Sequence, residues 1–216
     1  MRAYRKLGLA TAIIGFALVS GCGKKETSAP SASDGAREVN GLMTPAAFAG
    51  IGDDEQRAAA LFGEMAKVLQ HPRCANCHPV TGGPTQGDDM RPHEPPVVRG
   101  EGMGAAGMEC TTCHGTENVE FASMEGSIPG ANPWHLAPES MGWVGKSPAA
   151  LCAQLKDADL NGGRSVEDLI DHNGRDHLVG WAWHPGEGRT SAPGDQATLG
   201  ALTAAWVEAG AHCPAG

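Results

Sequence analysis

Two short motifs constrain this chain of 216 residues more than any other feature. They are Cys74-Ala-Asn-Cys77-His78 and Cys110-Thr-Thr-Cys113-His114. In a CxxCH motif the two thiols can add to the vinyl groups of a haem, and the histidine that follows can bind the iron. The motifs therefore predict two covalently bound c-type haems, with the four cysteines as attachment points and His78 and His114 as proximal iron ligands.

Two other kinds of site use the same pairs of cysteines. A structural zinc site takes four Cys or His ligands, and a thioredoxin-like dithiol lies in a βαβ unit. Both pairs in this chain are followed directly by histidine, and no βαβ pattern surrounds either of them. The sequence therefore favours haem over zinc and over dithiol redox chemistry.

The second axial ligand of each iron is less constrained by the sequence. His93 and His135 are predicted as distal ligands, because each lies in a Pro-rich stretch that can hold an imidazole rigidly. The choice matters, because a methionine ligand raises the reduction potential relative to a second histidine. The rival ligands are His71, Met90, Met103, Met108 and Met141.

Arginine and tryptophan side chains are candidates for supporting such a cofactor. Arg73, Arg91 and Arg99 are candidate partners of haem propionates, because guanidinium favours carboxylate. Trp134 stands beside His135 and could pack on a porphyrin edge. The Trp-rich stretch 178–186 is predicted to be core, with a haem contact or a partner surface as alternatives.

The chain begins like an exported lipoprotein. Three basic residues precede an apolar run over residues 7–19, which is too short to span a bilayer and is typical of a signal segment. The run ends in Val19-Ser20-Gly21-Cys22, which resembles the lipobox of bacterial lipoproteins. That resemblance implies cleavage before Cys22 and lipidation of its thiol, and Gly23 favours the outer membrane over the inner one. The alternative is an ordinary signal peptide with an unrelated cysteine.

These features divide the chain into three parts. Residues 1–21 are predicted to be a lipoprotein signal peptide. Residues 22–50 are predicted to be a flexible linker on the periplasmic side of the membrane, because most of that stretch is small, charged or Pro-rich. Residues 51–216 are predicted to form the dihaem domain.

The seven cysteines are all given a role by this interpretation. One carries lipid and four carry haem, which leaves Cys152 and Cys213. In an oxidising compartment these two are expected to form a disulfide bond.

The net charge of the chain limits the kinds of molecule that it can bind. Without residues 1–21 it has 13 basic and 25 acidic residues, a net charge of −12. Such a chain repels phosphate, so a nucleic-acid partner is excluded. The same charge suits docking of a basic redox protein, although the charge taken alone favours simple solubility.

Apolar spacing predicts a mainly α fold with extensive irregular coil and no substantial sheet. A first helix is predicted from Asp53 or Asp54 to about Gln70, stopped by Pro72. Shorter helices are predicted from Ser147, after the capping box at residues 165–168, and from Asp195 to Gly210. The Gly- and Pro-rich stretch 79–133 is predicted to be coil that wraps two haems, which would supply its missing apolar surface.

Four stretches together resemble a family, namely residues 71–79, 133–138, 161–164 and 181–183. They are similar to small exported cytochromes c labelled isoquinoline 1-oxidoreductase subunits, over about residues 55–215. The resemblance implies an electron acceptor for a molybdenum hydroxylase. The spacing of the two motifs is also similar to that in the small dihaem subunit of periplasmic nitrate reductase, as an architectural analogy.

The function that these patterns predict is relay of single electrons through two haems. The alternative is a dihaem enzyme of the peroxidase or thiol-oxidising type, in which one iron keeps an open site. Such an enzyme needs an acid–base group beside the open iron, and Glu94 and Glu101 are the candidates. The small size and the short separation of the motifs favour relay.

Overall fold

The computed structural model describes residues 37–123 and 125–216. The predicted signal peptide, the lipobox with Cys22 and the first part of the predicted linker lie outside the described residues. The described part is mostly helical, with small antiparallel hairpins and much coil. Its helices are α1 (Asp54–Leu69), α2 (Pro72–Ala75), α3 (Pro148–Lys156), α4 (Asp168–Arg175), α5 (His177–Gly180) and α6 (Gln196–Glu208).

The first helix begins where the sequence predicts it. The Asp53 carboxylate accepts a hydrogen bond from the Gln56 N–H at 2.8 Å and so caps one of the free N–H groups at the start of α1. The helix buries an apolar face that includes Phe62 and Met65. Pro72 then occupies the first turn of α2, where its missing N–H costs nothing, so the chain turns directly into the first CxxCH motif.

The hydrophobic core lies where α1, α4 and α6 pack together. The Phe62 and Trp206 rings meet with their centroids 5.3 Å apart, and both side chains are fully buried. The helices α4 and α6 approach very closely, because a Cβ on Gly200 would lie only 2.6 Å from Gly174 Cα. Glycine is therefore required at this crossing for steric reasons.

The strands form four separate hairpins, each of two residue pairs. They are β1 (Glu38–Val39) with β2 (Leu42–Met43), β3 (Thr85–Gln86) with β4 (Arg91–Pro92), β5 (Gly104–Ala105) with β6 (Met108–Glu109), and β7 (Val119–Glu120) with β8 (Ser127–Ile128). Three of the four lie in the stretch that was predicted as coil. The prediction of a mainly α fold without a large sheet is confirmed.

The folded body begins earlier than the predicted boundary at residue 51. Leu42, in the first hairpin, is completely buried in the core, and the Met43 N–H donates to Glu64 Oε1 on α1 at 2.8 Å. The last part of the predicted linker is therefore packed structure. The sequence did not indicate this, because the apolar residues of the segment follow neither the helical nor the strand period.

The predicted disulfide between Cys152 and Cys213 is present. It joins α3 to the segment after α6, across a sequence separation of 61 residues. No helix among residues 37–123 and 125–216 is long and apolar enough to cross a membrane.

Replacing both Cys152 and Cys213 by alanine is expected to lower the free energy of unfolding by about 3 kcal/mol, because the bond limits the freedom of the unfolded chain. Urea denaturation of the wild type and the double variant measures this difference. With the disulfide reduced, the two proteins should unfold at nearly the same urea concentration. An equal stability under oxidising conditions would contradict the expectation.

Candidate functional site

The first CxxCH motif is fixed directly to the helical core. His71 caps α2, with its Nδ1 accepting from the Arg73 N–H at 3.3 Å. Cys74 lies within α2 and packs against the hydrophobic core, and Ala75 beside it is buried. Because its Nδ1 serves as this cap, His71 is held at the start of the motif.

The His78 ring is held by contacts from a distant part of the chain. Its Nδ1 lies 2.9 Å from the Met141 carbonyl oxygen, and a carbonyl can only accept, so Nδ1 carries the proton. The Trp143 indole stacks on the imidazole with a centroid separation of 3.4 Å and an angle of 9°. These contacts leave the Nε2 lone pair of His78 free, which is the arrangement that second-shell carbonyls impose on metal-binding histidines.

The surroundings of His78 also keep its imidazole neutral. Burial, together with the charges of His172, Arg99 and Arg164, lowers the pKa of His78 to about 3, against the opposing hydrogen bond to Met141. Neutral imidazole is the form that binds a metal ion. This ring is therefore ready to act as a ligand at pH 7.

The second motif is built in the same way in a more exposed setting. It follows the β5–β6 hairpin, and the Cys110 N–H donates to the Met103 carbonyl oxygen at 2.8 Å. The His114 Nδ1 lies 2.7 Å from the Pro129 carbonyl oxygen. The Trp134 indole stacks on the His114 ring, with centroids 4.6 Å apart and an angle of 12°. Both motif histidines thus share one environment: a backbone carbonyl on Nδ1, a stacked tryptophan and a free Nε2.

A third imidazole faces the second motif. The His93 ring centroid lies 6.0 Å from that of His114, with the ring planes at 70°. His93 Nδ1 lies 2.9 Å from the Pro95 carbonyl oxygen, so its Nε2 is free as well. Burial lowers the pKa of His114, and the charges of His93 and Arg189 contribute to that shift. The structure therefore brings two imidazoles, each with a free Nε2, together at this motif.

His135 has a different position. Its Nδ1 lies 3.0 Å from the carbonyl oxygen of its neighbour Leu136. Its charge contributes to the lowered pKa of His172, and the charge of His172 contributes to the lowered pKa of His78. Among the ring contacts of the described residues, none joins His135 to either motif histidine. Its role as a distal ligand stays a prediction.

The methionines that are alternative candidates for the distal ligand differ in their burial. Met141 is buried in the core and supplies its carbonyl oxygen to His78. Met103 and Met108 are exposed, at 40% and 61% of their surface. His172, whose Nδ1 lies 3.5 Å from Asp176 Oδ2, contributes to the lowered pKa of His78, and no local signal in the sequence singles it out from the other candidate histidines.

The four motif cysteines are free thiols. Burial raises the pKa of Cys74 to about 12 and that of Cys77 to about 11. Burial also raises the pKa of Cys110. Reactive dithiols have lowered pKa values, so the pair of Cys74 and Cys77 does not have the electrostatics of a thioredoxin-like site.

The three candidate arginines have separate surroundings. Arg99 donates from Nη1 to the Ala137 carbonyl oxygen at 2.7 Å and from Nε to that of Gly82 at 3.1 Å. Arg73 has only 1% of its side chain exposed and pairs with Asp88 at 2.6 Å. Arg91 is exposed and pairs with Asp89. Arg73 and Arg99 thus remain close to the first motif, while Arg91 is directed to the surface.

Aromatic side chains connect the two motifs. Trp134, which stacks on His114, meets the Trp181 ring edge-on at 5.1 Å. The Arg73 guanidinium carbon lies 5.9 Å from the centroid of Trp181, and Arg73 immediately precedes Cys74. Trp181 is half-buried and lies between the two motifs. Trp183, in the same Trp-rich stretch, packs against the core.

A buried amide fixes the loop that carries Arg164. The fully buried Asn161 donates from Nδ2 to the Leu155 and Arg164 carbonyl oxygens at 2.7 and 2.8 Å. Its Oδ1 accepts from the Arg164 N–H at 2.8 Å. The charge of this arginine is one of those that lower the pKa of His78.

Replacing Asn161 by alanine is expected to lower the free energy of unfolding by about 3 kcal/mol, because it leaves three backbone groups without their partner. Asn132→Ala, at an exposed position, is the matched control and should cost much less. Urea denaturation compares the two. Equal losses would show that the Asn161 hydrogen bonds contribute little.

No group of three or more His, Cys, Asp and Glu side chains is arranged to hold a single metal ion in the ranges 37–123 and 125–216. No protein-family model, curated protein or solved structure matches this chain.

Proposed function

We propose that this protein is an electron-transfer protein that holds two c-type haems. Cys74 and Cys77 would attach the first, with His78 as its proximal ligand. The second would be held by Cys110, Cys113 and His114. This assignment rests on the two motifs and on the shared way in which their histidines are held.

The observation that carries the proposal is the pairing of His93 with His114. His93 and His114 would be the two ligands of the second iron, each through the Nε2 that its backbone contact leaves free. Their ring centroids lie 6.0 Å apart, and each ring has its Nδ1 on a backbone carbonyl. Two histidine ligands make a closed site, which suits electron transfer rather than substrate binding.

Polar groups beside the first motif also fit a cofactor with carboxylates. Arg73 Nε and Trp143 Nε1 are buried donors without a hydrogen-bond partner among the described residues. Buried donors are normally satisfied, so both would gain from an acceptor brought by the bound group. The first site would be completed by a distal ligand, for which His135 remains our proposal.

When bound, each haem supplies a one-electron Fe(III)/Fe(II) couple. The chain's own residues would set the conditions for that couple. The carbonyls of Met141 and Pro129 orient the motif histidines and raise the basicity of Nε2. The stacked indoles of Trp143 and Trp134 restrict access of water to the rings.

The electron donor that we propose is a molybdenum hydroxylase-type dehydrogenase, and the proposal rests on the family resemblance of the sequence. The net charge of −12 without residues 1–21 supports docking of a basic redox partner. We further propose that Cys22 anchors the protein by lipid to the periplasmic side of a bacterial membrane, with the outer membrane favoured.

A stopped-flow experiment tests the function. The fully reduced protein is mixed with an excess of a basic one-electron acceptor, mitochondrial cytochrome c. We expect two electrons to leave each chain, one to each of two acceptor molecules, at a rate that falls as the salt concentration rises. Haems that stay reduced after mixing, because the acceptor cannot oxidise them, would contradict the proposal.

The same protein is then mixed with hydrogen peroxide. The enzyme alternative requires turnover of peroxide at an open iron, with Glu94 or Glu101 as the acid–base group. Both glutamates are exposed to solvent. We therefore expect no turnover of peroxide. Sustained turnover would favour the peroxidase alternative over electron relay.

A further inference from the structure

The side chain of Asn118, which follows the second motif closely, is hydrogen-bonded through both ends of its amide. Its Oδ1 accepts from the Gly130 N–H and from the Trp181 Nε1–H, each at 2.9 Å. Its Nδ2 donates to the His184 carbonyl oxygen at 2.8 Å. An N–H can only donate and a carbonyl can only accept, so these partners fix the direction in which the amide points.

The hydrogen bond to Gly130 orients the carbonyl group that holds His114. The His114 Nδ1 lies 2.7 Å from the Pro129 carbonyl oxygen, and that carbonyl shares one planar peptide group with the Gly130 N–H. Because Asn118 fixes this N–H, it also fixes the direction of the carbonyl oxygen. Glycine is needed at residue 130 for this approach, since a Cβ there would collide with the Glu117 carbonyl oxygen.

The hydrogen bond to Trp181 supports the indole that stacks on His114. Trp181 meets the Trp134 ring edge-on with centroids 5.1 Å apart, and Trp134 lies over the His114 ring at 4.6 Å and 12°. An indole N–H points in one direction only, so its hydrogen bond to Asn118 limits rotation of the Trp181 ring. One oxygen atom therefore supports both the carbonyl on His114 Nδ1 and the indole that covers the imidazole.

The first motif obtains the corresponding support from the backbone. The carbonyl that holds His78 belongs to Met141. The Gly142 N–H of the same peptide group donates to the Glu139 carbonyl oxygen at 3.3 Å, and both partners in that contact are backbone groups. Loss of the Asn118 side chain is therefore expected to alter the second motif and to leave the first one unchanged.

We propose that Asn118 is a positioning residue of the second haem site, where it sets the orientation of the His114 imidazole and the strength of the hydrogen bond on its Nδ1. This inference rests on the proposed function, in which His114 is the proximal ligand of the second iron. A carbonyl held firmly on Nδ1 makes Nε2 a stronger donor to the iron. A stronger donor stabilises the ferric form, so Asn118 lowers the reduction potential of the second haem.

Electron paramagnetic resonance of the oxidised holoprotein and a redox titration of both haems test this role. The variants are Asn118→Ala, which removes the amide, and Asn118→Asp, which keeps an oxygen to accept from Gly130 and Trp181. Trp181→Phe is a milder variant, because it removes one of the two donors and keeps an aromatic ring. Asn132→Ala is the matched control, since it makes the same change at an exposed asparagine near Gly130.

In Asn118→Ala we expect the g values of one low-spin haem to change and the midpoint potential of that haem to rise, while the other haem stays unchanged. Trp181→Phe should change the signal of the same haem by a smaller amount. Asn118→Asp and Asn132→Ala should keep the g values of the wild type. If Asn118→Ala fails to fold, the same comparison is made between Trp181→Phe and Asn132→Ala.

Unchanged g values and potentials in an Asn118→Ala protein that carries two haems would overturn this inference alone. Asn118→Asp would overturn it by changing the g values as much as Asn118→Ala, because the oxygen acceptor would then not be the cause. Equal changes at both haems would also rule out a role specific to His114. A wild-type protein without covalent haem would instead contradict the proposed function.

Discussion

Replacing His93 by alanine is expected to let carbon monoxide bind rapidly to one of the two haems that we propose, once they are reduced. The reason is the geometry at the second motif, where the His93 ring lies 6.0 Å from that of His114 and has its Nδ1 on the Pro95 carbonyl oxygen. Removal of that ring would leave His114 as the sole axial ligand of the second iron. Carbon monoxide difference spectra of wild type and variant measure the number of open sites per chain.

Glu94→Ala is the control for this prediction, because it alters the exposed neighbour of His93 without removing an imidazole. It should bind no more carbon monoxide than the wild type. The His135→Ala variant is measured beside it, and we expect it to open the other iron. A His93→Ala protein that gains no ligand binding would show that a different residue closes the second site.

The loss of the first cysteine pair is expected to destabilise the protein much more than the loss of the second. Cys74 packs against the helical core, and the neighbouring Ala75 is buried. Cys113 is exposed, and the second motif lies in a stretch of small hairpins. Replacing Cys74 and Cys77 by serine should cost about 3 kcal/mol, because it puts polar hydroxyl groups in place of two half-buried thiols, one of which packs against the core.

Thermal unfolding of the two double serine variants measures this difference. For a domain of this size about 3 kcal/mol corresponds to a fall of about 10 °C in Tm. The variant of Cys110 and Cys113 is expected to lose less than half of that. Both variants should carry one haem each, which serves as the internal control. Equal falls in Tm would contradict the assignment of the first motif to the core.

Much of the helical fold could be predicted from local sequence. Asp53 and Asp195 are good N-cap residues before apolar periods, and both cap the helices that the structure contains. The Cys152–Cys213 disulfide was predictable because the other cysteines already had roles. These features depend on neighbouring residues or on simple elimination, which a single sequence reveals.

The surroundings of the motif histidines were not predictable in this way. The Met141 carbonyl oxygen lies 63 residues from His78 along the chain, and no local pattern indicates that they meet. The stacking of Trp143 on His78 and of Trp134 on His114 likewise depends on tertiary packing. Leu42 was missed for a related reason, since a strand of two residues is too short to show a period.

The most direct test of the account is a count of covalent haems. The full chain is exported in a bacterial host that attaches c-type haem, and the purified protein is examined by denaturing mass spectrometry and by its reduced pyridine spectrum. We expect two haems per chain, and one when either pair of motif cysteines is replaced by serine. A protein that carries no covalent haem, or that carries zinc on the same cysteines, would contradict it.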